Sequence, residues 1–286
     1  SLIPTGQTRA IALAVQDADN PRFMQYFKGA SHVALKNEYT LLLIDLQENM
    51  ANERSMLAPI SRRVDGFIIS SRTPDESCGW LLELGKPIVL MARKTQHPLT
   101  TVRTNVYRGG YLLGEHLLKT GRRRVAFLGL PSDITNYEGL AAALAEGGLA
   151  PSRFTANAPT LEAGEQAASA MLLGGSRPEA VVCRNDLLAM GLMHGAQSLG
   201  LRIPDDVAVA GFDNISVARF MYPSLTTVDL RGREQGEIAM QKLLQAILQQ
   251  GSTEDIVLEP QLMVRSSTAN RMQADIEKLP QKTLGN

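Results

Sequence analysis

A carboxylate stands at the end of an apolar segment in the last third of the chain. Residues 207–212 read VAVAGF, a run fit for a buried strand, and Asp213 and Asn214 follow it directly. Asp213 can cap the next helix through the N–H groups of residues 215–216. It can also be delivered to a ligand, where a carboxylate accepts two hydroxyl hydrogens. We favour the ligand role and keep the cap as the alternative.

Similar polar residues follow the other apolar runs of the chain. In open parallel sheets, ligands bind outside the carboxyl ends of the strands. Amides and carboxylates bind hydroxyls, aromatic faces pack against the C–H surface of a sugar ring, and guanidiniums grip a carboxylate or phosphate. The predicted ligand-binding residues are Asn20, Phe23, Gln47, Arg72, Arg93, Asn105, Asn136, Tyr137, Asn185, Phe212 and Asp213.

Several of these residues have a purely structural alternative. Asn20 precedes Pro21 and is predicted to be the N-cap of a helix, with an equal claim to a ligand role. Asn185 is interpreted as a ligand residue and its neighbour Asp186 as the helix cap. The arginines at 72, 93 and 184 can each be solvated or paired with a carboxylate instead of facing a ligand.

The elements that position these residues alternate between short apolar runs and helical segments. Continuous apolar runs indicate burial on both faces, which is typical of parallel strands covered by helices. The predicted strands are 10–15, 40–45, 66–70, 87–92, 125–129, 180–183 and 207–212, with short β runs at 256–258 and 262–264. The predicted helices are 21–36, 51–62, 76–84, 105–119, 134–146, 161–173, 186–199 and 234–249. The pattern predicts a doubly wound α/β fold.

Length and charge narrow the functional class. The chain has 286 residues, which suits two domains, and Lys plus Arg equal Asp plus Glu at 29 each. A chain that holds DNA by itself usually has a basic excess, so we do not expect this one to do so. Cys78 and Cys183 are expected to be free thiols of a cytoplasmic protein. We expect no membrane span and no secretory leader.

Catalytic and metal signatures are absent from the sequence. It contains no G-x-S-x-G elbow, no P-loop, no H-E-x-x-H and no G-x-G-x-x-G after the first strand. The two cysteines and four histidines have no metal-ligand spacing. We therefore expect a binding protein with no cofactor and no metal, not an enzyme.

Four stretches resemble the effector-binding core of the LacI/GalR family of bacterial transcriptional repressors. They are QTRAIALAVQDADNPRFMQYFKGA, RRVDGFIIS, GGYLLGEHLLKTGRRRVAFLGLP and NDLLAMGLMHGAQSLGLRIPDDVAVAGFDNISVARFMYPSLTTV. The resemblance implies two α/β subdomains of periplasmic-binding-protein type I joined by three crossovers, a homodimer, and a small effector between the subdomains. It also implies that operator DNA is bound by a helix-turn-helix headpiece, which we expect to be absent from this chain.

The resemblance also suggests domain boundaries and a ligand class. We expect one subdomain from residues 7–121 and 230–256, another from 122–229 and 257–269, a tail at 270–286, and vector-derived residues at Ser1 and Leu2. The family's ligand-contacting positions match Asp213, Asn185 and the loop 20–23. Asn136 and Asn105 stand where the family often has Arg and Asp.

These two departures put the usual neutral hexose in doubt. With arginines nearby, they favour a sugar acid or a sugar phosphate as the effector, which would alter operator affinity allosterically. The alternatives are a periplasmic sugar-binding protein of a transport system, and an enzyme that uses the same fold.

Overall fold

Two six-stranded sheets flanked by helices make up residues 7–269, the part of the chain that the computed structural model describes. The α/β fold class, with two doubly wound and mainly parallel sheets, is confirmed. The expectations for Ser1 and Leu2 and for the tail at 270–286 lie outside the described residues.

The strands and α-helices are numbered in chain order. The strands are β1 (Ala10–Val15), β2 (Thr40–Asp45), β3 (Gly66–Ile69), β4 (Ile88–Met91), β5 (Thr100–Thr104), β6 (Val125–Gly129), β7 (Ser152–Thr155), β8 (Ala180–Cys183), β9 (Ala208–Phe212), β10 (Thr226–Asp229), β11 (Asp255–Leu258) and β12 (Gln261–Met263). The α-helices are α1 (Pro21–Lys36), α2 (Met50–Leu57), α3 (Val106–Lys119), α4 (Thr135–Glu146), α5 (Leu161–Leu172), α6 (Asp186–Ser198) and α7 (Gly232–Ile247). Short 3-10 helices span Ala58–Arg63, Asp75–Leu84, Ser216–Phe220 and Ser266–Thr268.

The first unit contains residues 7–104 and 231–259. Its strand order is β11-β5-β4-β3-β1-β2, and every neighbouring pair is parallel. On β1, Ile11 and Leu13 pack into one core, and Ala12 and Ala14 pack into the core on the opposite face. Both faces of the strand are buried because successive side chains alternate between them.

The second unit contains residues 105–230 and 260–269. Its strand order is β12-β10-β9-β8-β6-β7, with β10 and β12 antiparallel and the other pairs parallel. Phe127 and Leu128 of β6 belong to the two different cores that cover this sheet. Because β6, β8 and β9 are parallel, all three strands end at the same edge of the sheet.

The chain passes between the units three times, after Thr104, Leu230 and Glu259. The first passage differs from the boundary expected at residue 121, because α3 belongs to the second unit. Helices α3 and α4 pack very closely, and a Cβ on Gly110 would lie 2.1 Å from the Asn136 carbonyl oxygen. Small residues at such a contact are needed for the backbones to approach, and a sequence read alone does not reveal the partner helix.

Several elements differ from those expected. The segment predicted as one helix over 51–62 forms α2 and then a 3-10 helix, and the segment at 76–84 is a 3-10 helix throughout. The residues of β5, β7 and β10 were not predicted as strands. No helix within residues 7–269 combines the length and apolar character needed to cross a membrane.

Candidate functional site

Five of the predicted ligand residues belong to the first unit, and four of them follow strands at the carboxyl edge of its sheet. Asn20 follows β1 and is the N-cap of α1, with its side-chain oxygen accepting the Arg22 N–H at 3.0 Å, so the predicted cap is confirmed. Gln47 follows β2, is exposed, and has a left-handed backbone with φ +55°. Phe23 does not face this edge, because its ring is buried in the core beneath α1 and packs edge-on against Tyr26.

The two arginines at this edge are paired with carboxylates. Arg72 donates to both Glu48 oxygens, and its Nη2 lies 2.8 Å from Glu48 Oε1. Arg93 Nη2 lies 3.3 Å from Asp75 Oδ1, and Arg93 Nη1 donates to the Thr73 carbonyl. The structure therefore shows the paired alternative for both arginines, since each contacts a carboxylate that neutralises it.

Acidic groups dominate the region after β1 and β2. Partial burial raises the pKa of Asp17, and the nearby carboxylates of Asp19, Glu48 and Asp45 raise it further. Like charges disfavour ionisation of one another. This edge is therefore better suited to a neutral or hydroxyl-rich ligand than to an anion.

A buried glutamate fixes the loop that follows β3. Glu53 of α2 accepts hydrogen bonds from Ser71 Oγ at 2.6 Å and from Thr73 Oγ1 at 2.7 Å, and all three residues are buried. Glu53 was not predicted, because a charged residue on a short amphipathic helix is normally expected to face solvent. Its hydrogen bonds hold the loop that carries Arg72.

In the second unit, Asn185 is the N-cap of α6. Its backbone is extended, its side-chain oxygen accepts the Leu188 N–H at 2.9 Å, and its Nδ2 donates to the Pro159 carbonyl at 3.0 Å. The assignment of the cap to Asp186 was wrong. Asp186 is the first helical residue, and its fully buried carboxylate faces β9 and β10 instead.

Asp186 accepts one hydrogen bond from β10 and one from the loop after β9. Thr227 Oγ1 of β10 donates to Oδ1 at 2.6 Å, and the Ile215 N–H donates to Oδ2 at 2.9 Å. The carboxylate fits there because β9 has Gly211 at that point, and a Cβ on this residue would lie 2.4 Å from Asp186 Oδ1. Burial raises the pKa of Asp186 well above its usual value, and the charge of Asp213 adds to the effect.

Asp213 has an unusual backbone conformation. Its φ is +104° and that of Asn214 is +49°, so two consecutive non-glycine residues are left-handed. Each such residue typically costs about 1–3 kcal/mol and persists only where surrounding contacts enforce it. Asp213 is 2% exposed, and its backbone N–H donates to the Val228 carbonyl at 2.9 Å.

A second set of contacts holds Asn214. Arg265 Nη2 donates to Asn214 Oδ1 at 2.7 Å, and Asn214 Nδ2 donates to Asp229 Oδ2 at 3.0 Å. Arg265 also donates to the Leu225 carbonyl at 2.8 Å. The loop after β9 is thus fixed from α6, β10 and the segment after β12. Arg265 was missed because nothing in its local sequence marks it.

The remaining polar residues predicted in the second unit make local contacts. Asn105 is the N-cap of α3, with its side-chain oxygen accepting the Arg108 N–H at 3.1 Å. Asn136 lies in the first turn of α4 and accepts the Tyr137 N–H at 3.2 Å. The Tyr137 ring packs edge-on against Phe127, and its hydroxyl donates to the Pro151 carbonyl at 3.3 Å.

The aromatic face of Phe212 is not available to a ligand. Its ring is buried in the core under α3, because Gly109 lets the helix approach it closely. Arg184, the third arginine expected to add positive charge, is paired with the largely buried Asp133 at 2.9 Å. Among the predicted ligand residues of the second unit, Asn185 and Asp213 are the polar residues that follow β8 and β9.

Comparison with known proteins decides the family. The profile of the periplasmic binding protein-like domain matches residues 114–268. The HTH-type transcriptional repressor PurR of Yersinia pestis bv. Antiqua is 30% identical over 283 residues, covering 94% of this chain and 82% of that protein. The chain belongs to the LacI/GalR family of transcriptional regulators. It spans the effector-binding core of such regulators.

Solved structures agree with membership of the LacI/GalR family. A LacI family transcriptional regulator from Enterococcus faecium with bound ribose is 28% identical, with a TM-score of 0.82 over 91% of this chain and 98% of that one. The complex of the transcriptional regulator CelR with cellobiose is 25% identical, with a TM-score of 0.80 over 93% of this chain and 86% of that one. Both are regulators and both hold a carbohydrate.

Proposed function

We propose that this chain is the sensing core of a LacI-family regulator that binds a small, neutral, sugar-like effector. The observation that carries the proposal is Asp213, a buried carboxylate held in a left-handed conformation directly after a core strand. Strained residues of this kind cluster at functional sites. A carboxylate there can accept two hydroxyl hydrogens from a polyol.

The other residues proposed for the effector also follow strand ends. They are Asn20 and Gln47 in the first unit, and Asn185 in the second. Asn20 and Asn185 each have a helix N-terminus beside them, so their amide groups are held in fixed orientations. Rigidly held polar groups lower the entropic cost of binding a flexible, hydroxyl-rich ligand.

Charge favours a neutral effector over the sugar acid or sugar phosphate expected from the sequence. The guanidiniums of Arg72, Arg93 and Arg184 contact Glu48, Asp75 and Asp133 respectively. To pair with one of these arginines, an anion would have to displace its carboxylate. The carboxylates around Asp17 would also repel an anionic effector that bound near them.

The effector is proposed to act by population shift. A ligand favours whichever conformation it binds more tightly, and a coupling of about 1–3 kcal/mol changes the affinity at a second site about 5–150-fold. Operator DNA would be bound by the helix-turn-helix headpiece that the family implies, not by residues 7–269. The chain itself is proposed to sense, not to catalyse.

We also propose that the second unit takes part in a homodimer through an exposed apolar group. Phe220 is 73% exposed and Tyr222 is 91% exposed, with Val217 beside them on the same short segment. The Tyr222 backbone is fixed, because Gln197 Nε2 donates to its carbonyl at 3.0 Å. Exposed aromatic residues that are held rigidly are typical of protein interfaces.

A thermal-shift screen tests the effector proposal. Ligands that bind only the folded state stabilise it by about 2.7 kcal/mol at about 100 times the Kd. The panel contains ribose, cellobiose and other neutral sugars, with sugar acids, sugar phosphates and nucleobases. We expect a shift from a neutral sugar that is lost in Asp213→Asn and kept in Asp255→Asn, a carboxylate paired with Arg103 on the first sheet. Shifts from phosphates alone, or a shift kept by Asp213→Asn, would contradict the proposal.

A further inference from the structure

We infer that Asp186 and Thr227 are positioning residues that hold Asp213 in its ligand-presenting conformation. The inference rests on the proposed function, because it explains how the residue expected to contact the effector is kept in place. Neither residue was predicted as a ligand. Both are fully buried, and both act on the residues immediately after Asp213.

The hydrogen bonds form one continuous path from the loop to α6. The Asn214 N–H donates to Thr227 Oγ1 at 3.2 Å, and the same hydroxyl donates its hydrogen to Asp186 Oδ1 at 2.6 Å. The Ile215 N–H donates to Asp186 Oδ2 at 2.9 Å. Asp186 therefore binds the Ile215 N–H directly, and the Thr227 hydroxyl links the Asn214 N–H to the same carboxylate.

The hydrogen bonds at this position use two acceptor oxygens. A carboxylate has two oxygens that accept at once, whereas an amide at residue 186 has one acceptor and one donor. With Asn at 186, the amide oxygen could accept from the Ile215 N–H only if the amide N–H donated to Thr227 Oγ1. The hydrogen bond between residues 186 and 227 would then reverse its direction, and the Thr227 hydroxyl hydrogen would lose this acceptor.

These contacts offset the strain at Asp213. Left-handed Asp213 and Asn214 would relax toward ordinary backbone angles if the amides of residues 214 and 215 were released. Such relaxation would redirect the Asp213 side chain. Asp213 would thus contact the ligand, whereas Asp186 and Thr227 would fix the orientation of Asp213.

Thr227 offers a matched pair of variants. Thr227→Val keeps the shape and removes the hydroxyl, while Thr227→Ser keeps the hydroxyl that links Asn214 to Asp186. Without any ligand, we expect Thr227→Val to speed amide hydrogen exchange at Asn214 by about tenfold, with β6 amides unchanged. Thr227→Ser should restore slow exchange. Equal acceleration in the loop and in β6 would mean that Thr227 only supports global stability.

A double-mutant cycle tests whether the Thr227 hydroxyl acts by offsetting the backbone strain at Asp213. Glycine adopts positive φ readily, so Asp213→Gly removes the strain at residue 213 and leaves only that at Asn214. We expect the loss of urea midpoint caused by Thr227→Val to be at least halved in the Asp213→Gly background. The same loss in both backgrounds would overturn the inference, because the hydroxyl would then act independently of the Asp213 conformation.

A binding experiment distinguishes the failure of this inference from the failure of the proposed function. With D-ribose as the probe, Thr227→Val should weaken binding about tenfold and Thr227→Ser should restore it. Unaltered binding by Thr227→Val would contradict the positioning role. If the wild-type protein fails to bind D-ribose, that result counts against ribose as the effector, and the exchange and cycle experiments still decide whether Asp186 and Thr227 hold Asp213.

Discussion

The Asp186 carboxylate lies directly over Gly211. A Cβ on residue 211 would be 2.4 Å from Asp186 Oδ1 and 3.1 Å from its Cα, so the first turn of α6 approaches β9 as closely as the backbone permits. Thr227 is the cross-strand partner of Gly211, which explains why its hydroxyl meets the same carboxylate. The missing side chain on β9 therefore creates the space in which the loop after the strand is fixed.

Gly211→Ala is expected to destabilise the protein. The added methyl forces Asp186 away from Thr227 and Ile215, and overpacking of this kind typically costs about 1–3 kcal/mol. Urea denaturation measures the change. Gly174→Ala is the control, because a Cβ there meets no atom within 4 Å. A neutral Gly211→Ala variant would show that α6 shifts without penalty.

Asp213→Gly and Asp213→Ala are expected to differ in stability. Both remove the carboxylate, but only glycine tolerates φ +104° without strain. We expect the glycine variant to be more stable than the alanine variant by about 1 kcal/mol in urea denaturation. Both should lose the thermal response to a neutral sugar. Equal stabilities would mean that the backbone at this position carries no strain.

Asp186 is expected to make stability depend on pH. Its folded-state pKa is raised from the usual 3.8 by burial and by Asp213, and Cys183 and Arg265 also face it. The folded state therefore binds the proton more tightly than the unfolded chain, so this contribution is full below pH 3.8 and is lost as the pH rises through the raised pKa. The unfolding free energy of the wild type minus that of Asp186→Asn should fall as the pH increases from about 4. A difference that stays constant with pH would contradict the raised pKa.

Phe220→Glu is expected to weaken the proposed dimer. A charge placed in a desolvated apolar interface is costly, so sedimentation velocity should show a shift from dimer to monomer. Leu173→Glu is the matched control, because Leu173 is also an exposed apolar residue of the second unit but lies at the end of α5. Dissociation by both variants, or by neither, would remove the Phe220 surface from the interface.

Much of the fold could be predicted because buried parallel strands are continuous apolar runs. β1, β6 and β8 have the expected bounds for this reason. β7 was missed because it is an edge strand with exposed Ser152 and Arg153, and such a strand carries no apolar signal. Helix α3 belongs to the second unit because its glycines pack against α4. Such a tertiary contact cannot be read from the local sequence.

The site could be predicted less completely. Strand ends located Asp213 and Asn185, but they did not show that Asn185 is the N-cap of α6. Asn185 and Asp186 are equally good N-caps by residue type, and only the extended backbone of Asn185 decides between them. The ion pairs of Arg72 and Arg93 join residues far apart in sequence, so the charge of the edge could not be read from composition.

A crystal structure of this protein with the neutral sugar that gives the largest thermal shift tests the central claim most directly. We predict that a sugar hydroxyl lies about 2.7 Å from an Asp213 carboxylate oxygen, with residues 213 and 214 still left-handed. A sugar bound elsewhere, or an Asp213 side chain turned away from it, would contradict the account.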